Sequence, residues 1–283
     1  MEYSNIKSYQ VLLIDLFGVI HDGKNLYPNV QKALESFNYY NKEVYFLSNA
    51  PRRANSVKQV LKKLGIDKSL YKDVITSGEL AYLLCLEYNL LKGDYFYIGL
   101  KQDSDVFEGL RYNAVQKISE ALCIVTTGFF DDYKLETIIP YLNEALSKQL
   151  IMFCLNPDLE VMKQNGQKEL CAGTIAAIYT KMGGQVIYFG KPYDAIYDFT
   201  SRIANITNKS KILAIGDGLE TDILGANKFG IDSLFIAGGM FKREVLTDNK
   251  IDQQQLQRLC KKFNVMPTFV TPLLSCDDWV NFV

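Results

Sequence analysis

Three aspartates, a serine, an asparagine and a lysine stand in this chain where side chains of those types can act on a phosphate. Asp15 closes the apolar run Leu12-Leu13-Ile14, and Asp217 follows the run Ile212-Leu213-Ala214-Ile215-Gly216, with Asp222 five residues on. Ser48 and Asn49 end a third apolar run, Val44-Tyr45-Phe46-Leu47, and Lys191 lies in Phe189-Gly190-Lys191-Pro192, at a loop-to-helix junction. Carboxylates that share a site suit a hard cation such as Mg2+, which takes few protein oxygens and keeps part of its water shell. A hydroxyl, an amide and an ammonium suit the oxygens of a phosphoryl group. Each signal alone is weak. An Asp at a strand end is a common turn residue, Ser-Asn is ordinary capping sequence, and acids near a helix start are favoured by the helix dipole. Their combination and order give the set its weight.

For these residues to meet, the apolar runs must lie side by side as parallel strands. The alternation predicts strands at 11–15, 44–47 and 74–76 with helices over 28–40 and 52–64. The same order returns late in the chain, as a helix over 191–204, a strand at 212–215, a helix over 220–229 and a strand at 233–236. Strand-helix-strand order implies an α/β layer with crossover helices. In open parallel sheets ligands bind beyond the carboxyl ends of the strands, which is where Asp15, Ser48, Asn49 and Asp217 fall. Between the halves, strands at 95–99, 122–126 and 150–155 and helices over 134–147 and 174–182 have length enough for a compact domain. The expected organisation is therefore a core built from residues 1–77 and 186–283, with an α/β domain inserted over 78–185. The C-terminal stretch 266–282 is predicted to add one more strand and a short closing helix.

Composition removes several function classes. A chain of 283 residues is too long for one ordinary core. A net charge of -1 leaves no basic field to hold a nucleic-acid backbone. The six cysteines, at 85, 123, 154, 171, 260 and 276, form no C-x-x-C pair and read as buried reduced thiols. A single histidine, His21, excludes any site needing two imidazoles. No basic stretch precedes the first apolar run, and no apolar span approaches the roughly 18 residues of a membrane helix. The expectation is a soluble cytoplasmic protein without nucleic-acid or membrane partners. Eighteen tyrosines and sixteen phenylalanines leave room for an aromatic surface patch and a homo-oligomer.

Taken together, "DLFGVIHDG", "FLSNAPR", "GKP" and "GDGLETDILGANKFG" resemble the haloacid dehalogenase-like (HAD) superfamily over nearly the whole chain. The resemblance is to its class IIA, sugar-phosphatase-like branch, and "NPD" at 156–158 and "CAGTIAAI" from Cys171 extend it into the inserted segment. It implies an α/β fold with a Rossmann-like parallel-sheet core and an inserted α/β C2-type cap domain. The implied activity is Mg2+-dependent hydrolysis of small phosphorylated metabolites of the sugar-phosphate type. Asp15 would be the nucleophile that forms an aspartyl-phosphate. Asp15, Asp217, Asp222 and the Phe17 backbone carbonyl would hold the metal. Ser48, with Asn49 nearby, would bind the phosphoryl group, and Lys191 would neutralise nucleophile and phosphate together. The cap would exclude water and set the substrate through the loop 156–173, which carries Asp158, Glu160, Lys163, Gln164, Lys168 and Glu169.

One position departs from the family pattern. An Asp two residues after the nucleophile would protonate the leaving oxygen and then activate water, and here Phe17 can do neither. Loss of a general acid or base costs about 10²–10⁴-fold in rate. His21, four residues on, is the candidate substitute, set against the plainer alternative of a loop histidine. Phe17 also keeps two other functions open: a phosphate-ligand-binding or regulatory protein with little turnover, and a phosphotransferase that passes the phosphoryl group to another acceptor. Gly190-Lys191 is not a nucleotide P-loop, because Pro192 stands where Ser or Thr would hold Mg2+.

Overall fold

Leu12, Leu13 and Ile14 point alternately to opposite faces of a strand, yet all three are buried. A strand buried on both faces belongs inside a parallel sheet covered on both sides. The computed structural model, which describes residues 4–132, 134–162, 168–248, 250–275 and 280–281, places it there. Seven strands lie in the order Val280–Asn281, Phe269–Thr271, Asp232–Ile236, Ile212–Gly216, Val11–Asp15, Glu43–Ser48 and Asp73–Thr76. Val11–Asp15 runs parallel to both neighbours, with Ile14 level with Ile215 on one side and Phe46 on the other. The parallel register continues through Asp232–Ile236 to Phe269–Thr271, and Val280–Asn281 closes that edge antiparallel.

From Val11–Asp15 the chain steps outward to one side of the sheet, and from Ile212–Gly216 it later steps outward to the other. The strand order therefore reverses between these two strands. A crevice opens at such a switch point, beyond the carboxyl ends.

The covering helices follow from apolar spacing. Val30–Tyr39 buries Val30, Ala33, Leu34 and Phe37, the one-sided stripe of a surface helix. The helix expected over 220–229 divides in two. Leu219–Ile223 is a wide π-helical turn, with Ile223 N–H donating to the Gly218 carbonyl, and Leu224–Phe229 continues as an α-helix. The Asp222 carboxylate folds back onto the Gly218 N–H in this turn, so the local backbone serves the acid as well as the helix.

The chain divides into two compact units, residues 1–48, 55–75 and 191–283 in one and 49–54 and 76–190 in the other. The second has its own parallel sheet, in the order Val186–Tyr188, Ile151–Cys154, Cys123–Thr126, Tyr95–Ile98 and Ala114–Val115. Its core gathers Ile98, Ile124, Ile138, Leu142, Met152 and Tyr179, with the Tyr179 hydroxyl donating to the Leu150 carbonyl at 2.7 Å.

Three further local features differ from the sequence expectation. Val186–Tyr188, which a boundary at 185 assigns to the core, pairs with Ile151–Cys154 in the second sheet. Residues 49–54 join the second unit although the first strand-helix series surrounds them. A helix over Ser77–Tyr88 starts on Thr76, whose hydroxyl accepts from Glu79 N–H. The helix lacks a clean apolar period, but Thr76-Ser77-Gly78-Glu79 is a capping signature. Within the C-terminal stretch 266–282, from which a strand and a closing helix were expected, strands form at Phe269–Thr271 and Val280–Asn281, while 276–279 and 282 lie outside the described residues, as do Lys163 and Gln164. The five described cysteines are buried and free. No helix among the described residues is long and apolar enough to cross a membrane.

Candidate active site

Asp15 ends its strand, and Leu47 is level with it on the neighbouring strand, so Ser48 stands one step past it at the same end of the sheet. On the other side Ile14 is level with Ile215, and Asp217 follows two residues later. The wide turn then returns Asp222 to the same place. Asp15, Asp217 and Asp222 each offer an oxygen, all within 4.8 Å of one another. Lys191 enters this group with its ammonium 2.6 Å from Asp15 Oδ1, 2.7 Å from Asp222 Oδ1 and 3.3 Å from the Leu47 carbonyl. Two backbone donors complete the setting: Met240 N–H donates to Asp217 Oδ2 at 2.6 Å, and Gly218 N–H to Asp222 Oδ2 at 3.0 Å.

The electrostatics of the cluster are unbalanced. Burial, with the Asp222 charge adding to it and Lys191 opposing, pushes the Asp15 pKa up to about 7. Burial, then the charges of Asp15 and Asp222, hold Asp217 well above the ordinary carboxylate range against the Met240 N–H. For Lys191, burial works against the ammonium, but Asp15 and Asp222 outweigh it and hold the group above the usual lysine value. One ammonium does not neutralise three carboxylates, and a further cation would. The backbone also leaves room only for the acids. Gly18, at φ +89°, and Gly239 press so close to the Asp217 carboxylate that a Cβ on either would collide with it. Oxygen-only donors with uncompensated charge fit a hard divalent ion such as Mg2+.

The loop after Asp15 shows what became of Phe17 and His21. Phe17 is 40% exposed, and its ring meets the His21 ring edge-on with centroids 6.1 Å apart. His21 is buried and tied into the loop. Its carbonyl accepts from Gly18 N–H, its backbone bridges to Leu26, and its Nδ1 accepts from Gly23 N–H at 3.0 Å. An accepting Nδ1 defines a neutral ring protonated at Nε2. Burial, opposed by Asp22, pushes the His21 pKa down, in keeping with that state.

Asn49 belongs to the second unit, where its amide donates to Asp158 Oδ1 at 2.8 Å. The structure thus brings Asp15, Asp217, Asp222 and Lys191 into one cluster, sets Ser48 at the adjacent strand end and bonds the Asn49 amide to Asp158. Sequence reasoning missed Met240 and the two close glycines. For Gly239 and Met240 the signal was Gly238-Gly239, two residues past the apolar run 233–236, in a loop that the sheet order carries to Asp217.

Residues 12–113 match the family profile described as haloacid dehalogenase-like hydrolase, and residues 188–261 match a second, HAD-hydrolase-like profile. These spans contain Asp15, Ser48, Lys191, Asp217 and Asp222. The chain belongs to the haloacid dehalogenase-like hydrolases. A hydrolase of this family from Brucella suis 1330 has a crystal structure that superposes with a TM-score of 0.80 at 28% identity, over 95% of this chain and 97% of that one. The acid sugar phosphatase of Staphylococcus haemolyticus is 26% identical over 263 residues, 88% of this chain and 92% of that protein. The glycerol phosphate phosphatase of Mycobacterium tuberculosis, solved in complex with magnesium, shares the fold at a TM-score of 0.71 and 21% identity, over 95% and 76% of the two chains. In the terms of this superfamily the seven-stranded unit is the haloacid dehalogenase-like core, and the five-stranded unit is the inserted cap.

Proposed function

We propose that the protein is a Mg2+-dependent phosphoric-monoester hydrolase acting on small phosphorylated metabolites, with Asp15 as its nucleophile. The observation that carries this reading is the buried cluster of Asp15, Lys191, Asp217 and Asp222 at the switch point of the sheet. Lys191 holds Asp15 Oδ1 and so leaves Oδ2 to attack phosphorus, forming an aspartyl-phosphate. Its ammonium also opposes the effect of burial on the nucleophile and faces the charge of the phosphoryl oxygens. The Ser48 hydroxyl donates to one of those oxygens. Asp15, Asp217, Asp222 and the Phe17 carbonyl would hold Mg2+, which supplies charge neutralisation between nucleophile and phosphate. Asn49, bound to Asp158, is assigned to anchoring the segment after Ser48, and His21 to holding the loop after Asp15.

The acid sugar phosphatase and the glycerol phosphate phosphatase among the relatives support hydrolysis of small phosphorylated metabolites. Phe17 favours a second reading, in which turnover is weak and the chain binds a phosphorylated ligand or passes its phosphoryl group on. One assay separates these. Phosphate release from an aryl phosphate and a panel of metabolite phosphates is followed with and without Mg2+, in the native protein and in Asp15→Asn. The expected result is Mg2+-dependent turnover that falls roughly 10⁴-fold or more in the variant. Turnover that survives Asp15→Asn excludes Asp15 as nucleophile. Phosphate binding without release of free phosphate selects the second reading.

A further inference from the structure

Cleavage of a phosphate ester raises the question of where the leaving oxygen finds its proton. Phe17 directly precedes Gly18, whose Cα rests against the Asp217 carboxylate, so this residue sits at the rim of the cluster. Its ring is part exposed and carries no proton to give. Lys191 has three N–H bonds and three acceptors for them, Asp15, Asp222 and the Leu47 carbonyl, and holding them is its task. His21 is a neutral ring whose Nδ1 is committed to Gly23. Phe17, Lys191 and His21 thus offer the leaving oxygen no proton, Asp15 and Asp217 would give theirs up on holding a metal, and burial makes the Tyr27 and Tyr197 phenols weaker acids than usual.

We infer that this site takes phosphoryl groups from oxygens that leave as stable anions, acyl phosphates and activated aryl phosphates, and handles alkyl esters such as sugar and polyol phosphates far more slowly. The inference rests on the proposed role of Asp15 as nucleophile. A carboxylate leaving group has a conjugate acid of pKa about 4 and departs unaided at neutral pH. In the first step Asp15 Oδ2 bonds to phosphorus. The bond from phosphorus to the leaving oxygen breaks, and that oxygen keeps the electron pair and departs as a carboxylate. In the second step a water oxygen bonds to phosphorus and the bond to Asp15 breaks. The electron pair returns to the Asp15 carboxylate, and both water protons leave with the phosphate as H2PO4⁻. Neither step requires a proton from position 17. An alkyl ester would have to expel an alkoxide, and there the missing acid is felt in full, about 10²–10⁴-fold.

The test uses the full chain with Mg2+. Values of kcat/KM, which report the first step, are measured for acetyl phosphate, glycerol 3-phosphate and a series of para-substituted phenyl phosphates. Native protein, Phe17→Asp and Asp15→Asn are compared. In the native protein log kcat/KM should fall steeply as the leaving phenol becomes less acidic, and acetyl phosphate should exceed glycerol 3-phosphate by about 10²-fold or more. Phe17→Asp should flatten the series and raise glycerol 3-phosphate by a similar factor, with acetyl phosphate little changed. A flat native series, or equal rates on acetyl phosphate and glycerol 3-phosphate, all abolished by Asp15→Asn, overturns the leaving-group inference and leaves the hydrolase reading standing. Turnover indifferent to Asp15→Asn, or none on any substrate, overturns both. If Phe17→Asp fails to fold, the native slope alone decides.

Discussion

The molecule contains two parallel sheets, and each reverses its strand order once. In the core the reversal lies between Val11–Asp15 and Ile212–Gly216, and in the cap between Tyr95–Ile98 and Cys123–Thr126. Parallel topology opens a crevice at both places. The two are filled in opposite ways. In the cap the Tyr97 hydroxyl donates to the Leu100 carbonyl at 2.9 Å and pairs with Thr127 Oγ1 at 2.5 Å. These neutral groups satisfy one another, and the buried Asp103 nearby is paired with Arg52 at 2.6 Å. In the core, three carboxylates share one ammonium, and two of them are driven toward protonation by burial and mutual repulsion. Topology supplies the position and side chains decide its use. A self-satisfied crevice is structure, whereas one with charge left over is prepared for a ligand.

The largest effect on stability should come from removing the ammonium. Lys191→Met leaves Asp15 and Asp222 buried without it, and breaking a buried ion pair from one side costs about 3–5 kcal/mol. Urea unfolding in EDTA near neutral pH reads this directly. A loss under 1 kcal/mol would mean that the carboxylates discharge themselves by binding protons, and the contrast between the two crevices would weaken.

A second effect concerns pH, and its sign follows from the raised pKa values. In metal-free protein the folded state binds protons on Asp15 and Asp217 more tightly than the unfolded chain does. Their contribution is therefore full below the unfolded carboxylate value of about 4. It is lost as pH climbs through the folded value, about 7 for Asp15. Stability in EDTA should fall across that window. With saturating Mg2+ it should rise over the same window, because the metal binds the deprotonated acids. Asp217→Asn should raise the urea midpoint in EDTA at pH 7 and remove most of the Mg2+ response. A midpoint in the native protein that ignores both pH and Mg2+ would contradict the charge imbalance.

Much of this was legible in the chain, for identifiable reasons. A strand buried on both faces needs an unbroken apolar run, so Leu12-Leu13-Ile14 and Ile212–Ile215 announce themselves, and the acids directly after them mark the strand ends. Asp15 and Asp217 were found in this way, and Asp222 and Lys191 from the motifs around them, with help from the family resemblance. The wide turn at Leu219–Ile223 was not legible, because its sequence suits a helix and the Asp222 contact with Gly218 N–H that accompanies the turn leaves no mark in the sequence. Met240 acts through its backbone N–H, which no side chain advertises. Asn49 and Asp158 lie 109 residues apart, and only the completed fold pairs them. Val186–Tyr188 is three residues long, too short for a period to show.

The smallest effect belongs to the cap crevice and serves as the control for the others. Tyr97→Phe keeps the ring and removes the hydroxyl, so the Leu100 carbonyl loses a donor and Thr127 a partner. A lost hydrogen bond of this kind costs about 1 kcal/mol. Because the group is neutral and its partners are neutral, the loss should be the same in EDTA and in Mg2+, and the same at pH 5 and pH 8. Parallel urea titrations under the four conditions test this. If the Tyr97→Phe loss shifts with metal or pH, the cap crevice is coupled to charge after all, and the distinction between a self-satisfied crevice and a charged one fails at its quieter end.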